Sequence, residues 1–193
     1  MMSKDYLKIL ISKSKNFAKE HGIFDIVLFG SSVKGKIQPE DVDVALLFID
    51  KNAEERRDIG YNFKKLFKGN INNLHVESVN FKDFFDASFF ARQGILIEGY
   101  SLIHGSKLSE RLGFDSFSLF NYSLKNLNHS KKTSFTYSLI GRKGKEGIIN
   151  IIKARHLGKG VVIVPIEESL VFEEFLNKWE INYKKKNILA SRL

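Results

Sequence analysis

Apolar residues in the first half of the chain recur in two patterns, one typical of helices and one typical of buried strands. In residues 5–21 they follow helical spacing, and Gly22 stands where a helix commonly ends. Residues 23–29 and 41–49 are short runs dense in β-branched and aromatic side chains, which predict two buried strands. The segment between them is a predicted turn region that contains Gly30, Gly35 and Pro39.

Three further elements complete the first half. Residues 52–69 predict a helix, because Asn52 and Glu55 have the spacing of a capping box and an apolar face follows them. Residues 74–79 predict a third strand, and the aromatic-rich residues 81–98 predict another helix. The predicted order is therefore helix, strand, strand, helix, strand, helix.

The pattern changes around residues 105–113, where Gly, Ser, Lys and Glu interrupt the apolar positions, and we place a domain boundary there. Beyond it most apolar runs predict strands, and residues 167–179 predict one helix. Phe135 and Leu139 also have the spacing of a helix face, so the run that contains them is ambiguous. The predicted strands are residues 117–124, 134–140, 147–155 and 161–166, with residues 181–189 as a last strand or a basic tail.

These elements predict an α+β protein with two domains of different charge. Residues 1–108 would form a small mixed sheet with flanking helices, and residues 109–193 a basic, mainly β domain. The formal net charge is +9, and residues 106–193 carry 16 Lys and Arg against eight Asp and Glu. Such an excess favours a polyanionic partner, most commonly RNA or DNA, although a lysine-rich solvated surface is the alternative.

The composition excludes several kinds of chemistry. The 193 residues include no cysteine, which excludes disulfides, thiolate metal sites and cysteine catalysis. No apolar run approaches the roughly 20 residues that a membrane-spanning helix needs, and the first 20 residues lack a signal-peptide core. We therefore expect a soluble, cytoplasmic protein without a membrane partner.

Two aspartates at the start of the second predicted strand are the main chemical signal. Asp41 and Asp43 are alternate residues, so on a strand their side chains point the same way. Carboxylates held this close repel each other, and a divalent cation resolves the conflict without protonation. Mg²⁺ is commonly held by one or two carboxylates, with water and substrate phosphates as its other ligands.

Other polar groups are predicted to meet these aspartates. Glu77 lies in the third predicted strand, and a third carboxylate beside the pair would allow two ions to be held, one near each reacting oxygen. Gly30 and Ser31 follow the first predicted strand, where a glycine allows close approach of phosphate and a serine hydroxyl supplies a donor. The sequence therefore predicts anion donors and metal ligands at one edge.

Gly30-Ser31, Asp41-Val42-Asp43 and the later Glu77 together resemble the signature of the DNA polymerase beta nucleotidyltransferase superfamily, particularly its small prokaryotic minimal nucleotidyltransferases. The resemblance covers roughly residues 1–105. It implies transfer of a nucleoside monophosphate from an NTP, with ATP favoured, to an acceptor hydroxyl, and release of pyrophosphate.

The same resemblance implies roles for particular residues. Asp41, Asp43 and Glu77 would be the catalytic metal ligands, with two Mg²⁺ ions, or Mn²⁺ in their place. Gly30 and Ser31 would contact the triphosphate. Many members carry an arginine after Gly-Ser, whereas this chain has Ser32 there and Lys34 as the nearest cation. These two residues are the remaining candidates for binding the nucleotide.

The second half belongs to no family that we recognise, and its basic residues are the candidates for binding the acceptor. They are Lys131, Lys132, Arg142, Lys143 and Lys145. A nucleic-acid acceptor is the first hypothesis. The alternatives are a partner protein, as resemblance to the nucleotidyltransferases of toxin–antitoxin pairs implies, a small molecule, or a non-catalytic nucleic-acid-binding protein of the same fold.

Overall fold

The chain forms two compact units. In the computed structural model, which describes residues 4–34 and 41–192, the first unit extends to Phe114 and the second begins at Asp115. Gly35 and Pro39 of the predicted turn region lie outside the described residues. The elements of the first unit are α1 (Lys4–His21), β1 (Asp25–Phe29), β2 (Val42–Phe48), α2 (Ala53–Leu66), β3 (Leu74–Asn80), α3 (Arg92–Glu98), β4 (Tyr100–Ser101), β5 (Ser106–Lys107) and α4 (Leu108–Arg111).

A five-stranded mixed sheet organises the first unit. Its strand order is β3-β2-β1-β4-β5, with β2 and β3 parallel and the other neighbours antiparallel. The parallel pair needs a crossover, which α2 supplies. Because β1 and β2 are central, both of their faces are buried, and their sequences are accordingly apolar almost throughout.

Helices cover both faces of this sheet. On one face, Val44 and Leu46 of β2 belong to a core that also contains Leu10 of α1 and Phe63 of α2. On the other face, Ala45 of β2 lies in a second core with side chains from α3 and α4. Strand alternation places Asp43 on the face of Ala45, so this carboxylate lies on the α3 side of the sheet.

The boundary of the first unit is fixed by α4. Leu108 is buried in the α3-side core, and the Arg111 guanidinium lies 2.6 Å from the carboxylate of Asp25 in β1. These two contacts explain why the structural boundary follows Phe114, six residues beyond the position chosen from composition. The sequence becomes more polar around residues 105–113, but α4 lies within that stretch and still packs against the first sheet.

The second unit contains a four-stranded sheet and three helices. Its sheet has the order β11-β6-β10-β9, and β7 and β8 form a separate hairpin. Phe120, Phe135 and Phe172 are fully buried at the centre of its core. The elements are β6 (Phe114–Ser123), α5 (His129–Ile140), β7 (Gly141–Arg142), β8 (Lys145–Glu146), α6 (Ile148–Ile151), β9 (Arg155–Gly158), β10 (Val161–Pro165), α7 (Ser169–Lys178) and β11 (Asn182–Ser191).

The predicted α+β class is confirmed, but two of the strands predicted in the second unit are wrong. Residues 134–140 belong to α5, which begins after Asn128, whose side chain caps the helix by accepting the Lys131 N–H. Phe135 and Leu139 are both buried on its inner face, so the helical spacing was the correct signal. The predicted strand over residues 147–155 is instead the helical turn α6 followed by the start of β9.

The helix predicted over residues 81–98 is also divided. Residues Phe81–Phe85 form a 3₁₀ turn, and α3 begins only at Arg92. Between them the Asp86 carboxylate accepts hydrogen bonds from the N–H and the hydroxyl of Ser88. A local side-chain bond of this kind competes with helical backbone bonding and explains the interruption.

No helix in residues 4–34 or 41–192 is long and apolar enough to cross a membrane.

Candidate functional site

The Gly-Ser turn and the second aspartate occupy the same location. Antiparallel pairing of β1 with β2 sets Phe29 opposite Asp43, so the chain turns at Gly30 immediately beside that carboxylate. Gly30 has a φ of +75°, and a Cβ built on it would lie 2.5 Å from Oδ2 of Asp43. Glycine is therefore required here for two reasons, the backbone conformation and the closeness of the carboxylate.

The electrostatics of Asp43 are unfavourable for a bare carboxylate. Its side chain is 29% exposed, and burial raises its pKa above the ordinary 3.8. The nearby charge of His75 lowers the pKa, whereas the neighbouring Asp41 raises it. A cation between the two aspartates would relieve both the desolvation and the mutual repulsion.

Ser32 and Lys34 have structural partners. Ser32 is 1% exposed, and its hydroxyl donates to the Asp41 carbonyl at 3.2 Å, which ties the turn to the start of β2. The Lys34 ammonium lies 2.7 Å from the buried carboxylate of Glu98 in α3. Both side chains therefore hold the turn in place, and their predicted contact with a nucleotide stays a prediction.

The strand register separates Glu77 from the aspartates. In the parallel pair β2–β3, Asp43 lies opposite His75, and Glu77 lies opposite Ala45. Glu77 is on the same face as Asp43 but two positions further along the edge strand, and its side chain is exposed. Its predicted metal-binding role stays a prediction.

In the described ranges, 4–34 and 41–192, no group of three His, Asp or Glu side chains is arranged to hold a metal ion. The geometry near the turn therefore offers two carboxylates, Asp41 and Asp43. Mg²⁺ commonly takes one or two carboxylates, with water and phosphate as its other ligands. The predicted two-ion centre with Glu77 as the third carboxylate stays a prediction.

His75 is the residue at this site that the sequence did not single out. Its Nδ1 lies 3.7 Å from Oδ1 of Asp43, and 61% of its side chain is exposed. The sequence carried a partial signal for His75, because residues 75 and 77 alternate along β3 and therefore share a face. Only the register decides which of the two lies opposite Asp43, and register depends on the pairing of distant segments.

The five acceptor-binding candidates all lie exposed in the second unit, in two groups. Lys131 and Lys132 are in the first turn of α5, whereas Arg142, Lys143 and Lys145 are on the β7–β8 hairpin that follows its last residue. Eight residues of α5 follow Lys132 before the hairpin begins, which separates the two groups by about 12 Å of helix. They do not form one cluster.

No protein-family model matches the chain, and no curated protein matches it. It is similar to a solved structure of a tri-AMPylated Shewanella oneidensis HEPN toxin in complex with an MNT antitoxin, with 19% identity over 55% of this chain and 78% of that chain and a TM-score of 0.37. It is also similar to a toxin–antitoxin structure with AMP-PNP, with 21% identity over 53% of this chain and 78% of that chain and a TM-score of 0.38. Both TM-scores are below 0.5, and both likenesses cover little more than half of this chain.

Proposed function

We propose that the first unit binds an NTP together with a divalent cation at Asp41, Asp43 and the Gly30-Ser31 turn, and transfers a nucleoside monophosphate to an acceptor hydroxyl. The observation that carries the proposal is the placement of the Asp43 carboxylate directly against Gly30. A metal-bound carboxylate and the backbone of the turn would then face the same ligand.

The two aspartates fit Mg²⁺ by donor type and by charge. Both are oxygen ligands, and burial together with the neighbouring Asp41 already raises the pKa of Asp43. When bound, Mg²⁺ would neutralise triphosphate charge and favour departure of pyrophosphate.

The turn would hold the phosphates through its own backbone and the Ser31 hydroxyl. Ser32 and Lys34 contribute by fixing the turn, since they bind the Asp41 carbonyl and Glu98. The acceptor hydroxyl would lie on the face of β3 that carries His75 and Glu77. Catalysis of this kind is mainly positioning and charge stabilisation, so a rigid turn is a direct contribution.

The test is NTP binding with and without Mg²⁺, followed by an assay for pyrophosphate release. We expect Asp43→Asn to abolish Mg²⁺-dependent binding of ATP and release of pyrophosphate. The matched control is Asp50→Asn, an exposed aspartate just after β2 that changes the net charge equally. If the parent protein neither binds NTP with Mg²⁺ nor releases pyrophosphate with any pool of acceptors, the proposal is wrong.

A second candidate function is non-catalytic binding of nucleotide or nucleic acid by the same fold. It is favoured by one observation, that His75 rather than a carboxylate lies opposite Asp43. This candidate predicts Mg²⁺-dependent NTP binding without pyrophosphate release. It would be excluded by label transfer to any acceptor that Asp43→Asn abolishes.

The acceptor is identified by where the label appears. Incubation with NTP labelled at the α-phosphate, in the presence of RNA, DNA, protein extract or small-molecule extract, distinguishes the four classes directly. We expect nucleic acid to be labelled, because the second unit is strongly basic. Label on a protein would instead support the alternative of a partner-modifying enzyme.

A further inference from the structure

The second unit contains a groove, and of the predicted site residues only Lys132 lines it. It has a volume of about 710 Å³ and lies among the end of β6, α5 and the turn between β9 and β10. Its size is within the range of about 300–1,000 Å³ that is typical of ligand pockets. Its lining includes the buried side chains of Tyr122, Phe135 and Leu139, which we call its base, and the exposed side chains of Lys125, Lys132 and Lys159, which we call its margin.

The groove is shaped by a close backbone contact. Gly160 has a φ of +77°, and a Cβ built there would lie 2.5 Å from the carbonyl oxygen of Tyr122. The Tyr122 N–H donates to the Gly160 carbonyl at 2.8 Å. This contact brings the β9–β10 turn against β6 and places Lys159 at the margin of the groove, close to the loop that carries Lys125.

The cations at the margin are available to a ligand. Within residues 4–34 and 41–192, none of Lys125, Lys132 and Lys159 forms an ion pair. His156 also lines the groove, and no carboxylate of the described chain does. The site therefore presents three uncompensated positive charges around an apolar base.

Positive and negative charges are concentrated in different parts of the second unit's sequence. Residues 125–159 contain nine Lys and Arg and a single acidic residue, Glu146. Five of the seven acidic residues of the unit lie instead between positions 167 and 180, in and around α7. Three of the nine basic residues, Lys125, Lys132 and Lys159, line the groove.

Apolar surface remains open within the same groove. Ile140, the last residue of α5, lines it and is 51% exposed. A ligand that carries phosphate charges and flat bases satisfies both features, since phosphates bind lysines and bases pack on apolar or aromatic surface. Double-stranded nucleic acid would offer only its phosphates, because its bases are stacked inside the helix.

We propose that this groove binds a single-stranded segment of nucleic acid, with its phosphates at Lys125, Lys132 and Lys159 and a base against Ile140 and the apolar base of the groove. Binding by the groove stands independently of catalysis. Its use as the acceptor site rests on the proposed nucleotidyl transfer.

The test uses the full chain and fluorescently labelled ten-nucleotide oligomers, one of RNA and one of DNA, with binding followed by anisotropy at several salt concentrations. We expect Lys132→Ala combined with Lys159→Ala to weaken binding about tenfold or more and to reduce the salt slope by about 1.4, since each phosphate contact on a single strand contributes about 0.7. The control removes the same charge elsewhere in the unit: Lys184→Ala with Lys186→Ala, two exposed lysines of β11. It should weaken binding less than about threefold.

A second variant tests the apolar base without changing charge. Ile140→Ser should weaken binding by about threefold to tenfold and leave the salt slope unchanged, because it removes a stacking surface and no phosphate contact. Thermal melting of each variant confirms that it is folded, which is expected because all five substituted side chains are exposed.

Three outcomes would overturn the proposal. The first is failure of the parent protein to bind either oligomer at low salt, and the second is equal weakening of binding by the two lysine pairs. The third is binding of anionic lipid vesicles that depends on Lys132 and Lys159 while the oligomers do not bind. By contrast, normal oligomer binding without label transfer would contradict only the proposed enzyme activity, so the two failures are distinguishable.

Discussion

The antiparallel pair β1–β2 carries an aspartate near each end, and the two have opposite environments. Asp25 lies opposite Leu47 and is completely buried, whereas Asp43 lies opposite Phe29 and is partly exposed. Both belong to central strands whose other residues are apolar. The same residue type in the same ladder therefore has two different roles.

The difference lies in the partners of each carboxylate. Asp25 accepts hydrogen bonds from the Ile26 N–H and the Ser101 hydroxyl, at 2.8 and 2.7 Å, and from the Arg111 guanidinium at 2.6 Å. Asp43 has instead the imidazole of His75 at 3.7 Å and the like charge of Asp41. A buried carboxylate that the protein has fully paired supports the fold, whereas one left with an adverse environment is a candidate for binding a ligand.

The largest effect expected from this comparison is on stability. Asp25→Asn should lower the free energy of unfolding by about 3 kcal/mol, because it leaves the Arg111 charge without its partner. Arg111 is 30% exposed, which keeps the loss at the lower end for such pairs. Asp43→Asn should change stability by less than about 1 kcal/mol, as measured by urea unfolding. Equal losses would contradict the assignment of different roles.

The next effect concerns the glycine beside Asp43. Gly30→Ala should cost about 2 kcal/mol, since it introduces a side chain at positive φ and forces Asp43 to move. Gly69→Ala is the matched control, because Gly69 has a φ of +84° but no atom within 4 Å of the added Cβ. It should cost only about 1 kcal/mol.

The same two variants, Gly30→Ala and Gly69→Ala, are also compared by nucleotide binding. Calorimetric titration with ATP and Mg²⁺ should show a loss of affinity for Gly30→Ala and unchanged affinity for Gly69→Ala. If both variants bind normally, Asp43 and the turn do not share a ligand.

A smaller effect is expected in the pH dependence of stability. Because the pKa of Asp43 is raised in the folded protein, mainly by burial, the native state binds this proton more tightly than the unfolded chain does. That contribution is present below the ordinary pKa of 3.8 and is lost as the pH rises through the higher folded value. The free energy of unfolding of Asp43→Asn, relative to the parent, should therefore increase as the pH rises above 3.8 and through the higher folded value. If this difference in the free energy of unfolding, measured with urea, stays constant or falls, the folded protein does not disfavour the charged form of the Asp43 carboxylate.

The smallest effect is that of His75. Its charge lowers the pKa of Asp43, so His75→Ala should raise that pKa further, as followed by NMR titration of the carboxyl carbon. The parent protein, titrated in parallel, is the reference. An unchanged Asp43 titration would show that water screens the 3.7 Å contact completely.

Much of the fold was predictable because it depends on local pattern. The buried strands β1 and β2, the helix α2 with its Asn52 cap and the strand β10 follow from apolar runs and capping residues, which act over a few positions. The errors have local causes as well. Asn128 was not recognised as a helix cap, and the Asp86–Ser88 interruption was hidden in an otherwise helical aromatic pattern.

The candidate site was predictable only in part, for a different reason. Gly30 and Asp43 were chosen from the sequence, and they are in contact. The structural partners of Ser32 and Lys34 and the position of His75 were not foreseen, because each depends on which distant residue the fold brings opposite. A sequence pattern specifies which side chains share a strand face, but not the register against the next strand.

By itself, then, the sequence determined which segments are helices or buried strands, where positive charge is concentrated and which aspartates share a strand face, since each of these follows from neighbours a few residues apart. Tertiary structure alone decided that Asp25 pairs with Arg111 whereas Asp43 lies beside His75, that Glu77 lies two positions beyond Asp43, and that three lysines from separate elements surround one groove. Each of these outcomes depends on contacts between residues tens of positions apart, and the packing of the whole core determines which of those contacts form.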